Sequence, residues 1–90
     1  VVVVPDLFIP NVFSPNGDGV NDMFNVQYTG DQPFTCQVFD RWGVRLWETQ
    51  NKTHGWDGKN AKGEDVTDGV YFYLAKVGNR EFVGEVTLVR

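Results

Sequence analysis

The chain has 90 residues, of which 41% are hydrophobic and 14% aromatic, and its formal net charge is −4. This length fits one domain, and this apolar content can form a core, which excludes an intrinsically disordered chain. The acidic balance disfavours nucleic-acid and anionic-membrane partners, because both bind basic surfaces. No run of about 18 apolar residues occurs, so no transmembrane helix is predicted.

Short apolar segments separated by turn residues predict an all-β fold, since no window of about eleven residues has the period of a helix. The first half should contain extended segments at Leu7–Phe13 and Met23–Tyr28, followed by a turn at Thr29–Pro33. Pro10 cannot donate a ladder hydrogen bond and therefore marks an edge or a switch between sheets. Residues 1–6 are expected to be a linker or a first edge strand.

A hairpin is predicted in the middle of the chain. Phe34–Asp40 should be a strand that turns through Arg41–Gly43 and returns as Val44–Glu48. The alternation of apolar and polar residues predicts that Val44 and Leu46 face inward.

A second hairpin follows the long polar segment of residues 49–68. Val70–Val77 is apolar on both faces, which predicts a central strand covered on both sides. Gly78–Asn79 suits a two-residue turn, Glu81–Arg90 should return beside it, and Tyr71 is a candidate tyrosine corner. Together these segments predict an immunoglobulin-like antiparallel β-sandwich of about seven strands.

The polar loop after the first extended segment partly fits a calcium-binding template. The candidate ligands are Ser14, Asn16, Asp18, the Val20 carbonyl, Asp22 and Asn25. Serine at the first position and asparagine at the last leave only two carboxylates to bind a cation. The favoured alternative is a loop whose side chains hydrogen-bond their own backbone.

Two other groups of residues each allow a functional and a structural interpretation. The acidic group comprises Asp57, Glu64, Asp65 and Asp68, and the aromatic group comprises Trp42, Trp47 and Trp56. The acids either bind calcium or keep a loop solvated, and solvation is favoured. The tryptophans either form a sugar-stacking platform or have structural roles, in which Trp42 and Trp56 pin turns and Trp47 packs between strands. The structural roles are favoured in so small a domain.

Catalysis has little support in the sequence. His54 is the only histidine and lies in a polar loop, whereas Ser14 is the only serine and precedes a proline. Cys36, the only cysteine, falls at an inward position of a predicted strand and has no evident base partner. We therefore predict a domain that is not an enzyme, with a buried cysteine and with calcium as the one candidate cofactor.

Spaced motifs along the chain resemble a known family. They lie at Pro10–Asp22, Asp40–Gly43 (DRWG), Trp56–Gly58 (WDG), Asp68–Tyr73 and Gly84–Arg90. The most distinctive motif residues are Asp40, Arg41, Trp42, Gly43, Trp56, Asp57 and Gly58. From about Phe8 to Arg90, the chain resembles the gliding motility-associated C-terminal domain, the type B sorting domain of the type IX secretion system.

The resemblance implies that residues 1–90 form a single C-terminal sorting domain of a large exported protein, often an adhesin. It implies the type IX machinery and a dedicated outer-membrane protein as partners, and passage through the periplasm to the cell surface or the medium. We expect the domain to be a monomer. The alternative is a calcium-dependent adhesive or carbohydrate-binding β-sandwich, because the sandwich fold serves many functions.

The last strand is the predicted recognition surface, because an edge strand offers unpaired backbone groups to a partner. Its residues are Glu81, Val83, Glu85, Thr87, Leu88, Val89 and Arg90. Removal of Leu88–Arg90 is therefore expected to abolish export.

Overall fold

The fold consists of two β-sheets. The computed structural model describes residues 2–15, 17 and 22–90, and these residues form strands, bridges, turns and bends without a helix. The strands are β1 (Val2–Val4), β2 (Leu7–Ile9), β3 (Val12–Phe13), β4 (Gln27–Tyr28), β5 (Phe34–Phe39), β6 (Arg45–Thr49), β7 (Gly69–Val77) and β8 (Arg80–Leu88). One sheet has the order β1-β2-β4 and the other has the order β3-β8-β7-β5-β6. The predicted all-β sandwich is confirmed.

Pro10 separates two strands that belong to different sheets. β2 pairs with β1 and β4 in the small sheet, whereas β3 pairs with β8 in the large sheet. The predicted switch between sheets is therefore confirmed. Among the described strands, β3 and β8 form the one parallel pair, with Val12 opposite Thr87, and the remaining pairs are antiparallel.

One core fills the domain, because alternate residues of the long strands point to the same side. The buried residues are Leu7, Ile9, Phe13, Phe24, Val26, Phe34, Cys36, Val38, Trp56, Tyr71, Tyr73, Ala75, Val77, Val86 and Leu88. Each large apolar side chain contributes about 1.5–3 kcal/mol by leaving water.

Within residues 2–15, 17 and 22–90, no helix has the length and apolarity needed to cross a membrane.

An ion pair joins the two sheets at one side of the domain. Arg80, at the start of β8, donates from Nη1 to Asp6 Oδ1 (3.0 Å) and from Nη2 to Asp6 Oδ2 (2.8 Å). The hydrogen bond and charge of Arg80 lower the pKa of Asp6 from its ordinary value of 3.8. The pair therefore stabilises the fold above that pH, and this contribution is lost as the pH falls through the lowered pKa.

The predicted inward direction of Val44 is wrong. A β-bulge interrupts the β5–β6 pairing, since Val38 pairs with Trp47 but the next residue of β5 pairs with Arg45. The extra residue, Leu46, lets both Leu46 and Trp47 turn toward the core. Val44 precedes β6 and lies in the turn, where its N–H donates to Asp40 Oδ1. Val44 is 56% exposed, whereas Leu46 and Trp47 are partly buried and pack against the core.

The predicted covering of β7 on both sides is also wrong. β7 is central within its sheet, between β8 and β5. Its Tyr71 side is buried, but Val70 and Phe72 on the opposite side are exposed. The small sheet covers one side of the large sheet only, so apolar residues remain in contact with solvent on the other.

Candidate recognition site

The DRWG motif forms a tight turn that displays its tryptophan. Asp40 Oδ1 accepts hydrogen bonds from the backbone N–H groups of Trp42 (2.8 Å) and Val44 (2.9 Å). Gly43 has a φ of 82°, which glycine adopts without strain. Trp42 is 78% exposed, and its ring centroid lies 5.3 Å from the Arg41 guanidinium carbon. The expectation that Trp42 pins this turn is therefore wrong, because Asp40 holds the turn and the Trp42 ring is exposed.

The three tryptophans do not form a platform. Trp56 is fully buried, its ring centroid lies 5.3 Å from that of Phe13, and its Nε1 donates to the Lys59 carbonyl at 2.8 Å. Trp47 is partly buried against the core. The structural interpretation is confirmed for these two side chains, since Trp56 holds the turn that ends at Lys59 and Trp47 packs against the core, and Trp42 is left as the exposed ring.

Three motifs that are distant in sequence meet at Arg90. Its Nη2 donates to the Gly58 carbonyl at 2.9 Å, and its backbone N–H donates to Asp68 Oδ2 at 3.1 Å. The same Nη2 lies 3.7 Å from Asp65 Oδ1. Arg90 thus ties the residues after β8 to the WDG segment and to the start of β7, which is a structural role.

The acidic group of the long loop is engaged by neighbouring side chains. Asp65 Oδ1 lies 2.9 Å from Lys59 Nζ, and Glu64 Oε1 accepts from Asn60 Nδ2 at 3.1 Å. The hydrogen bond and charge of Lys59, with a smaller contribution from Arg90, lower the pKa of Asp65. These contacts favour a role in ordering the loop.

The calcium prediction is only partly covered by the described residues. Those outside are Asn16, Asp18 and Val20. Asp22 Oδ1 accepts a hydrogen bond from the Gly17 N–H at 3.1 Å, as in the backbone-bonded alternative. Ser14 and Asn25 are partly buried. In the part of the chain that the structure describes, no three histidine, cysteine or acidic side chains are grouped to hold a metal. Calcium binding stays a prediction.

Cys36 and His54 have surroundings unlike those of catalytic groups. Cys36 is buried, as predicted, and burial raises the pKa of its thiol to about 12. The thiol is therefore protonated at neutral pH and is a poor nucleophile. His54 is exposed in the long loop, where its backbone N–H donates to the Asn51 carbonyl.

Tyr71 forms the predicted tyrosine corner. Its hydroxyl donates to the Thr67 carbonyl at 2.5 Å, which fixes the loop that enters β7. The motif segment that begins at Asp68 is thereby held against the core.

Replacing Tyr71 with phenylalanine should lower the free energy of unfolding by about 1 kcal/mol, because one partly buried hydrogen bond is lost. Urea denaturation followed by circular dichroism measures this loss. Tyr73→Phe is the matched control, since Tyr73 lies on the same face of β7 and no hydrogen bond of its hydroxyl is seen among the described residues. An equal loss for both variants would contradict the corner.

The predicted recognition surface is free along only part of β8. The Thr87 N–H donates to the Asn11 carbonyl (2.9 Å), and the Val89 N–H donates to the Phe13 carbonyl (3.0 Å). Leu88 is fully buried. The expectation that these last residues form an open edge is therefore wrong, because the segment after Pro10, which contains β3, pairs with them. Deleting Leu88–Arg90 would remove core packing.

The first half of β8 keeps an exposed side. Glu81, Val83 and Glu85 are exposed, and Val83 is 72% exposed. Sequence reasoning included these three residues in the recognition surface, and their role in recognition stays a prediction.

Sequence reasoning missed an apolar surface beside these residues, which we call the outer strip. It consists of Phe39, Phe72, Leu74 and Val83. Phe39 is opposite Phe72 and Leu74 is opposite Val83, so the strip crosses β5, β7 and β8 on the side away from the small sheet. The signal in the sequence was that both faces of Val70–Val77 are apolar. We interpreted this signal as a strand covered on both sides, whereas the second face is exposed.

A family model, the CHU_C Type IX secretion signal domain, matches residues 7–88 of this chain. The chain belongs to this family. The CHU_C domain is thus a signal for type IX secretion, which leads across the outer membrane to the cell surface or beyond. The family is one of secretion signals and not of enzymes.

A solved structure has a similar fold. It is PorZ of Porphyromonas gingivalis, described as an essential bacterial surface component of the type IX secretion system. The TM-score is 0.61 at 21% sequence identity, over 93% of this chain and 11% of the PorZ chain. This chain therefore corresponds in length to only a small part of PorZ, and the likeness shows the fold alone. No curated protein matches the chain in sequence.

Proposed function

We propose that this CHU_C domain is the C-terminal sorting signal of a large cell-surface or secreted protein, and that this cargo is an adhesin of a gliding bacterium. The family match over residues 7–88 is the observation that carries the proposal. The partners are the type IX machinery and a dedicated outer-membrane protein. The domain is a monomer that passes through the periplasm before it reaches the cell surface or the medium.

The physical character of the domain supports a role as a signal. Its described surface offers a displayed Trp42–Arg41 pair, the exposed Glu81 and Glu85 of β8 and the outer strip, whereas its one thiol is buried and protonated. A machine that reads a folded signal needs such a stable and distinctive surface more than a reactive pocket.

The test is export of a fluorescent protein fused ahead of residues 1–90, with a secretory leader at its amino end. We expect fluorescence outside the cell in a host with an intact type IX system. We expect periplasmic retention in a secretion-deficient strain, because the outer membrane then has no route for the fusion. Fluorescence of culture supernatant and periplasm, with a cytoplasmic marker for lysis, measures this outcome.

The fusion without residues 1–90 is the control, and it should stay in the periplasm of both hosts. A host that co-expresses the partner protein encoded beside the cargo completes the design. Periplasmic retention of the fusion in that host would overturn the proposal.

A second candidate is the adhesive module that binds calcium or carbohydrate. Trp42 favours it, because this exposed ring borders a groove of about 460 Å³ that also includes Asp40 and Asp68. An exposed ring beside carboxylates suits a sugar, which stacks on aromatic faces and donates hydroxyl hydrogens. An adhesive module would leave the fusion in the periplasm, so the export experiment separates the two candidates.

A further inference from the structure

One side of β8 carries backbone groups that point away from its sheet. β7 and β8 form a two-residue hairpin closed by Val77 and Arg80. Hydrogen-bonded and non-hydrogen-bonded pairs alternate along such a hairpin, starting from the closing pair. The N–H and C=O groups of Glu81, Val83 and Glu85 therefore point away from β7. We call these three residues the open edge.

The hydrogen bonds farther along β8 support this direction. Thr87 and Val89 follow the open edge at every second residue, so their backbone groups should also point away from β7. Both donate their N–H groups to the segment that contains β3. β3 pairs only with Thr87 and Leu88. Among the described residues, no strand pairs with the open edge on its outward side.

The other edge of the large sheet is interrupted, whereas the open edge is regular. β6 contains the bulge opposite Val38, which hinders addition of a strand. The β7–β8 register runs from Arg80 to Leu88 without a bulge. The open edge also contains no proline or lysine. It is the flatter template for strand addition.

The charges of the open edge define the partner that fits it. Glu85 forms no ion pair with any described residue. Glu81 Oε2 lies 3.7 Å from Lys76 Nζ, and this exposed ion pair offsets the charge of Glu81 only weakly. Arg80 is already bound by Asp6. The edge therefore presents an acidic, an apolar and an acidic side chain on one face.

A second copy of the domain fits this edge poorly. Antiparallel pairing of two copies centred on Val83 would place Glu81 of one copy opposite Glu85 of the other. Like charges directly opposite each other destabilise a strand pair. A basic–apolar–basic segment instead places opposite charges at both positions, and its apolar residue extends the outer strip.

We propose that the open edge accepts an extended segment of a partner protein as an added β-strand, with an apolar residue between two basic residues on the face that meets Glu81 and Glu85. This inference rests on the proposed function, because the partner is then a protein of the export machinery. The added strand satisfies the outward backbone groups of β8 and covers the exposed Val83.

A peptide titration tests the chemistry of the site. The probe is the heptapeptide Thr-Lys-Thr-Val-Thr-Lys-Thr, and the control replaces both lysines with glutamate. Residue-resolved amide NMR should show shifts and slower exchange at Glu81, Val83 and Glu85 with the basic peptide. The acidic peptide should bind at least about tenfold more weakly, since two like-charge contacts replace two favourable ones. Equal binding of both peptides would overturn the proposal, as would shifts confined to other strands.

Self-association is examined in the same sample. Edge shifts that depend on domain concentration without peptide, together with dimerisation in sedimentation, would show that a second copy occupies the edge and would overturn the proposal.

Two variants test the backbone and the charges separately. Val83→Pro removes an outward N–H but no bond to β7, so the domain should stay folded while binding of the basic peptide falls about tenfold or more. Val83→Thr keeps the N–H and is the matched control. The double variant Glu81→Lys, Glu85→Lys should reverse the preference and favour the acidic peptide, a result that unfolding cannot produce. An unchanged preference would count against the inference.

Export of the same variants separates this inference from the proposed function. If the wild-type fusion is exported, Val83→Pro should reduce export about tenfold or more, because the backbone hydrogen bond from residue 83 to the added strand is lost. Val83→Thr keeps this hydrogen bond and should not reduce export. Equal export of both variants would overturn the open edge as the machinery's site and leave the sorting function standing. Retention of the wild-type fusion would instead overturn the sorting function, and the peptide titration would still decide whether the edge accepts a basic strand.

Discussion

Replacing Trp56 with alanine is expected to lower the free energy of unfolding by about 3–5 kcal/mol. Trp56 is fully buried, its ring contacts those of Phe13 and Tyr71, and its backbone bonds that of Phe24 in both directions. Alanine leaves a large cavity and an unpaired Lys59 carbonyl. Because small domains are stable by only about 5–15 kcal/mol, this single change removes a large share of the total.

Urea denaturation monitored by far-ultraviolet circular dichroism measures this effect. Trp42→Ala is the matched control, since it removes the same side chain from a position that is 78% exposed. That control should change the free energy of unfolding by no more than about 0.5 kcal/mol. Similar losses in the two variants would contradict the assignment of Trp56 to the core and of Trp42 to the surface.

The second large effect is expected at Gly58, which combines a special backbone conformation with close packing. Its φ is 84°, and a Cβ at this position would lie 2.8 Å from Leu88 Cδ1 and 2.9 Å from Arg90 Nη2. Gly58→Ala should cost about 1–2 kcal/mol for the left-handed conformation. Crowding against the core should add about 1–3 kcal/mol.

Gly63→Ala separates these two contributions. Gly63 has a φ of 81°, but a Cβ there would meet no atom within 4 Å. This control should therefore show only the conformational cost, and the difference between the two variants gives the cost of close approach. Chemical denaturation of both variants provides the comparison. Equal destabilisation would show that the WDG segment does not pack tightly against the end of β8.

Local pattern was enough to predict several structural elements. Pro10 cannot take part in a ladder, and the chain does change sheets there. Gly78–Asn79 suits a two-residue turn, and Val77 does pair with Arg80. Tyr71 follows a loop at the start of a late strand, and its hydroxyl does bond upstream. Each of these features depends on neighbours in sequence, so the sequence contains the required information.

The errors arose where a turn or a distant strand decided the outcome. Val44 was assigned to the returning strand, but β6 begins only at Arg45, and the N–H of Val44 is held in the turn by Asp40 Oδ1. The last residues of β8 were assigned to an open edge, but β3, about 75 residues earlier in the chain, covers them. Neither event leaves a signal in the alternation of apolar and polar residues.

The sequence by itself determined the fold class, the approximate strands, the buried cysteine and the family, because alternation, turn residues and spaced motifs are local properties. Only the tertiary structure decided which backbone groups remain open and which motif residues are exposed. Trp42 and Trp56 show the difference, since both stand next to a charged residue and a glycine in similar motifs. One is displayed on a turn and the other fills the core, because burial depends on which strands the chain brings over each residue.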